Sequence, residues 1–140
     1  MTKSLIDIDA DELRFLLKLK ESVGILNNRI HDNLALIAME KLRGLHPEIN
    51  CQYRGAGAGG IDILGFAADG ARKLIAEVKT THTSDTVGLR GPQKNAIERD
   101  LKRLSDEPGD VTRYLIVISA QTKNAVESRL NLARNIPTSL

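Results

Sequence analysis

Gly60-Ile61-Asp62-Ile63-Leu64-Gly65-Phe66-Ala67-Ala68-Asp69-Gly70-Ala71-Arg72-Lys73-Leu74-Ile75-Ala76-Glu77-Val78-Lys79 is two apolar runs separated by a turn signal. Ile61 to Ala67 reads as a strand interrupted by Asp62, and Lys73 to Thr80 as the strand that returns. Asp69-Gly70 between them is the pair that a two-residue type I′ turn favours, because both central positions need positive φ. With that turn, Ala68 faces Ala71 and every paired couple sums to 139. Asp62 and Glu77 also sum to 139. The register therefore predicts the two acids directly opposite one another on one face, with Cβ atoms roughly 5 Å apart. Lys79, two residues beyond Glu77, shares that face. A slip of one residue would send the acids to opposite sides of the sheet.

Outward from this hairpin, Ile49 to Arg54 reads as a preceding strand, joined to it by Gly55-Ala56-Gly57-Ala58-Gly59-Gly60. Glycine loops that bind nucleotides lead from a strand into a helix, whose N-terminus meets the phosphate. This one leads into another strand, so a hairpin connection is the better reading. Asp9 or Asp11 can cap a helix to about Val23, ended by Gly24, and a second helix is expected from about Asn27 to Leu42, stopped by Gly44 and Pro47. Gly91-Pro92 opens a helix to about Leu104, with Ala96, Ile97, Leu101 and Leu104 as its buried side and Lys94, Arg99, Lys102 and Arg103 solvated. Val111 to Ser119 suits a buried strand, and Thr122 to Ala133 a final helix. The expected order is α-α-β-β-β-α-β-α, a mixed sheet flanked by helices in one α/β (by another convention α+β) domain spanning residues 1–140.

Composition narrows the function. Hydrophobic residues at 41% and charged residues at 27% fit an ordinary globular chain. No apolar run reaches membrane-spanning length, so no membrane partner is expected. A single cysteine, Cys51, excludes an internal disulfide and a paired-cysteine zinc site, and points to a reducing, cytoplasmic setting. Cys51 is expected as a small buried strand residue, and His31, His46 and His82 lack metal-ligand spacing. The net charge is only +2, although residues 51–105 hold nine Lys/Arg against six Asp/Glu. That surplus is compatible with a phosphate-bearing partner. The four aromatics are scattered, giving no base-stacking platform.

Two carboxylates opposed on a sheet need compensation. Lys79 can supply some. A hard divalent cation suits the same oxygens.

Gly60-Ile61-Asp62, fourteen residues, then Glu77-Val78-Lys79 resembles the signature of the PD-(D/E)XK nuclease superfamily, to which restriction endonucleases and archaeal Holliday-junction resolvases belong. The residue before the first acid is Ile61 rather than Pro, as in Mrr-like restriction enzymes. The likeness covers about residues 27–120 and implies a restriction-endonuclease-like core, with the helix at about 10–23 an addition. It implies an Mg²⁺-dependent (or Mn²⁺-dependent) deoxyribonuclease, most simply a restriction-like endonuclease, with no organic cofactor. Holliday-junction resolvase and repair or homing nuclease are the alternatives on the same fold, and a catalytically silent nucleic-acid-binding module is the alternative of another class. By position, Asp62, Glu77 and the Val78 carbonyl would hold the metal, and Lys79 would orient the attacking water or stabilise charge on the phosphate. Asp32 is the first choice for an additional acid from the preceding helix, with Glu40 its rival, and Gln93 resembles a glutamine that some relatives place beside the metal. Thr80, Thr81, His82, Thr83 and Ser84 could donate to phosphate. Double-strand cleavage would call for a homodimer, and the Leu-rich first helix is the expected dimer surface.

Overall fold

The computed structural model describes residues 10–81, 91–130 and 138–139. Its elements are α1 (Ala10–Leu45), β1 (Asn50–Tyr53), β2 (Ile63–Phe66), β3 (Arg72–Lys79), α2 (Gly91–Asp106), β4 (Thr112–Val117), α3 (Ala120–Leu130) and the two-residue β5 (Thr138–Ser139). The architecture is α+β around a mixed sheet ordered β1-β2-β3-β4-β5, with β1, β2 and β3 antiparallel and β3, β4 and β5 parallel.

The two helices expected before the sheet are one helix of 36 residues. Gly24 does not end it. Its backbone stays helical instead of adopting the positive φ of a capping glycine, and one interior glycine costs only ~1 kcal/mol relative to alanine. Without a proline behind it, that is too little to stop a helix whose apolar periodicity resumes at Ile25 and Leu26. Pro47 does end the helix, and the His46 amide donates back to the Leu42 carbonyl at 2.8 Å.

Alternation along β3 sorts the core into two layers. Leu74, Ala76 and Val78 face α1 and pack with Ala35, Ala38, Met39, Leu42, Cys51 and Ile63. Ile75 faces the other way, into a cluster with Ile97, Leu101, Leu104, Leu115, Val117 and Val126 from α2, β4 and α3. Glu77 and Lys79 follow Ile75 in the alternation and so project on the α2 side. Arg113 fixes the end of α2, donating to the carbonyls of Leu104 and Glu107 at 2.7 Å each. Ser119, expected in a strand, instead caps α3: its hydroxyl oxygen accepts from the Thr122 amide at 3.2 Å. The expected end of that helix at Ala133 lies outside the described residues. Among the described residues no helix is long and apolar enough to cross a membrane.

The β2–β3 hairpin departs from its expected turn yet keeps its expected register. Ala67 donates to the Ala71 carbonyl and accepts from the Gly70 amide, both at 2.9 Å, so the loop is Ala68-Asp69-Gly70 with Gly70 at φ 83°. This three-residue loop ends in a left-handed glycine, and Asp69 steadies it by accepting from the Ala71 amide at 2.9 Å. Taken alone, the loop would make pairs sum to 138, as Phe66 and Arg72 do. A bulge then leaves Lys73 without a counterpart, and beyond it Gly65 pairs Leu74, Leu64 pairs Ile75 and Ile63 pairs Ala76. The extra residue in the loop and the extra residue in the strand offset each other, restoring the sum of 139. Gly65 is required at this bend, since a Cβ there would lie 2.6 Å from Ile49 Cγ2 and 2.8 Å from Leu74 Cβ.

Candidate metal and nucleic-acid site

Asp62 immediately precedes β2, and Glu77 lies near the end of β3; continuing the ladder one step sets them opposite each other. The Asp62 Oδ2 atom accepts from the Val78 amide at 2.8 Å, so a side chain extends the pairing where the backbone ladder stops. Glu77 is 3% exposed. Burial first, then a hydrogen bond and repulsion from Asp62, push its carboxyl up to about 8, while Arg103 pulls the other way. Two carboxyl groups can share a hydrogen bond only if one keeps a proton, so the pair favours a shared proton or a cation between its oxygens.

Asp62, Glu77, Val78 and Lys79 line one cleft of about 390 Å³, with Thr80, Thr81, His31, Asp100, Arg103 and the turn Ala58-Gly59-Gly60 around them. Three of these residues, Asp100, Arg103 and His31, are not expected at the site from the sequence. Asp100 sits on the buried face of α2 and holds the Lys79 ammonium at 2.7 Å, a closer attachment for that lysine than either acid of the hairpin. Arg103, expected to be solvated, reaches Glu77 Oε1 at 3.1 Å. His31 extends from α1 to within 3.5 Å of Asp62 Oδ2. Asp100 could have been found: it lies three residues after Ile97 and next to Leu101, inside the apolar stripe, where an acid calls for a partner.

Asp32 is not in this lining. Its Oδ1 atom accepts from the Tyr53 hydroxyl at 2.6 Å and from the Ala56 amide at 3.1 Å, which holds its carboxyl below the usual range and ties the glycine loop to α1. Tyr53 has one proton and gives it to Asp32, so in its 2.8 Å contact with His31 the donor is the His31 Nδ1–H. The residue that α1 presents to the hairpin acids is thus His31, one position before the expected Asp32. Glu40 and Gln93 are exposed and outside the cleft lining. His46 bonds the Tyr114 hydroxyl at 2.7 Å, and Cys51 is buried in β1 with its thiol pushed up by desolvation. His82, Thr83 and Ser84 lie outside the described residues. On α2, Lys94 and Lys102 pair with Glu98 and Asp106 one turn on, as on a solvated helix face.

A hard divalent ion in this cleft would call on its carboxylate oxygens. Among the described residues no three His, Cys, Asp or Glu side chains gather as a ligand group. Asp62 and Glu77 are the carboxylates that could contribute to one, with the Val78 carbonyl as the backbone candidate. Mg²⁺ is commonly held by one or two carboxylates and keeps several waters. A larger cleft of about 880 Å³ beside β1 and β2 is lined by Arg43, Glu48, Asn50 and Gln52, and contains no facing pair of acids.

Comparison with known proteins yields no matching family model, no matching curated protein and no matching solved structure.

Proposed function

We propose that this chain is a divalent-metal-dependent deoxyribonuclease of PD-(D/E)XK type, acting as a restriction-like endonuclease, with Asp62, Glu77 and the Val78 carbonyl as the metal-holding set. The observation that carries the reading is the facing pair Asp62 and Glu77, with Lys79 in the same cleft. A cation bound there would supply Lewis-acid polarisation of the scissile phosphoryl oxygen. Lys79, held by Asp100 and confined to the rim, contributes a fixed positive charge for the oxygens of the phosphate as negative charge builds on them. Thr80 and Thr81 add hydroxyl donors along the same edge for the DNA backbone. Asp62, through its bond to the Val78 amide, holds its own carboxylate and that stretch of β3 in one geometry.

The competing reading is a catalytically silent nucleic-acid-binding module. It is favoured by one observation: Lys79 and Glu77 already have partners in Asp100 and Arg103, so the cluster is partly neutralised from within. Incubation with supercoiled plasmid and with four-way branched DNA, each with Mg²⁺ or EDTA, separates the readings. The nuclease reading expects Mg²⁺-dependent nicking, with preference for the branched substrate if junction resolution is the role. Binding without cleavage of either DNA would leave the silent module.

A further inference from the structure

The N-terminal part of α1, residues 10–30, has nothing of its own chain to pack against among the described residues. Positions 10–30 are exposed throughout, including Leu16 (48%), Leu19 (51%), Val23 (49%), Leu26 (57%) and Ile30 (37%). A helix in water draws most of its stability from packing an apolar face. Six of the exposed apolar residues of α1 fall into heptads, while Leu13, Phe15, Leu17, Ile25, Leu36 and Leu45 lie at other positions. Leu16, Val23, Ile30 and Ile37 recur every seven residues, and Leu19, Leu26 and Asn33 recur every seven in the alternate position, three later. Labelling the first set a and the second d puts β-branched residues at three of four a positions and Leu at two of three d positions. That combination favours two strands over three or four.

The rest of the helix agrees with this labelling. Ala35, Ala38, Met39 and Leu42, which carry the sheet, occupy f, b, c and f. They lie on the side of α1 away from the a/d seam, so the described residues leave that seam open. Ile37 shows this directly: it is 55% exposed although its neighbour Ala38 is 3% exposed. The seam spans three heptads, about 33 Å at 1.5 Å per residue.

We propose that α1 pairs with α1 of a second copy of this chain as a parallel, in-register, two-stranded coiled coil through this seam. Asn33 decides the direction. In a parallel pair the two Asn33 amides meet in one d layer and can satisfy each other. In the antiparallel alignments that match a to d layers, Asn33 falls against Leu16 or Val23 and its amide is buried without a partner. The flanking positions tolerate the parallel arrangement too. The g-to-e′ pairs are Phe15 with Lys20, Ser22 with Asn27 and Arg29 with Leu34, none of them like-charged. This pairing does not depend on the nuclease reading, and failure of one leaves the other standing.

Sedimentation equilibrium of the full chain at tens of micromolar tests it, with twice the 15.3 kDa chain mass expected. Leu19→Glu/Leu26→Glu, which would set four carboxylates in the seam, is expected to sediment as a monomer with a dispersed NMR spectrum from the intact sheet. If that variant loses its fold, orientation still tests the idea. In a Cys51→Ser background, Leu19→Cys should form an interchain disulfide under mild oxidation, because in-register helices bring the two positions together, whereas antiparallel layers set them at least about 16 Å apart. A monomeric wild type, a double variant that stays dimeric, or absence of the Leu19→Cys cross-link would each overturn the proposal.

Discussion

Asp62 and Glu77, fifteen positions apart in sequence, line one cleft at the open end of the β2–β3 hairpin, where Asp62 helps raise the Glu77 carboxyl. They meet because two irregularities offset each other, a three-residue turn at Ala68-Asp69-Gly70 and a bulge at Lys73. With either alone, the register would shift by one and the acids would point to opposite faces.

The first prediction concerns pH. Glu77 is raised to about 8 in the folded protein from 4.5, so between those values the folded state keeps a proton that the unfolded state has lost. Stability of the metal-free protein should therefore fall as pH rises from about 4.5 to about 8 and level off above. A cation needs the ionised form, so Mg²⁺ affinity should climb over the same range, with release of a proton. Urea melts across pH, with and without Mg²⁺, check both slopes. Asp62→Asn should lower the Glu77 value only in part, because burial, the larger cause, remains; side-chain carboxyl NMR reads it.

A second prediction concerns Lys79 and Asp100, joined at 2.7 Å in a partly buried site. On the nuclease reading, Lys79→Met should lower DNA cleavage by roughly 10²-fold or more, as loss of a preorganised charge does. It should also cost about 1–3 kcal/mol of stability by stranding Asp100. Asp100→Asn keeps the shape but releases the ammonium, so the rate should fall less and the optimum pH should shift. Adding Asp100→Asn to Lys79→Met should recover part of the lost stability, which denaturant melts of the four proteins measure.

How much of this arrangement could be read from the chain depends on the range of the signal. The hairpin strands were legible because alternation and Asp69-Gly70 are local, and the register of Ile63, Leu64 and Gly65 came out as expected. Its route did not, since nothing in Arg72-Lys73-Leu74 marks a bulge. Gly24 looked like a helix end because glycine is the usual cap, yet a cap also needs a following stretch that leaves the helix, and Ile25-Leu26 does not. Asp32 and His31 show the limit on the site. Their neighbourhood names a helix face, but which of the two reaches Asp62 depends on how α1 sits on the sheet. The partners of Lys79 and Glu77 come from α2, across the crossover, where charge patterning alone marked only a solvated face.

The helix itself supplies a third prediction. A Cβ at Gly24 would meet nothing within 4 Å, and the backbone there is helical. Gly24→Ala should stabilise α1 by about 0.5–1 kcal/mol, seen as a gain in helical circular dichroism at elevated temperature with unchanged sheet signals.

The central claim is that Asp62 and Glu77 together hold a divalent cation, and thermal melting of wild type against Asp62→Asn at pH 8 over a series of Mg²⁺ or Mn²⁺ concentrations tests it most directly. Asn keeps an acceptor for the Val78 amide while removing the charge. The account predicts a melting temperature that rises with metal in the wild type, by a few degrees once the ion is about tenfold above its Kd, and that stays flat in the variant. A wild type indifferent to both metals, or a variant that responds as strongly, would contradict it.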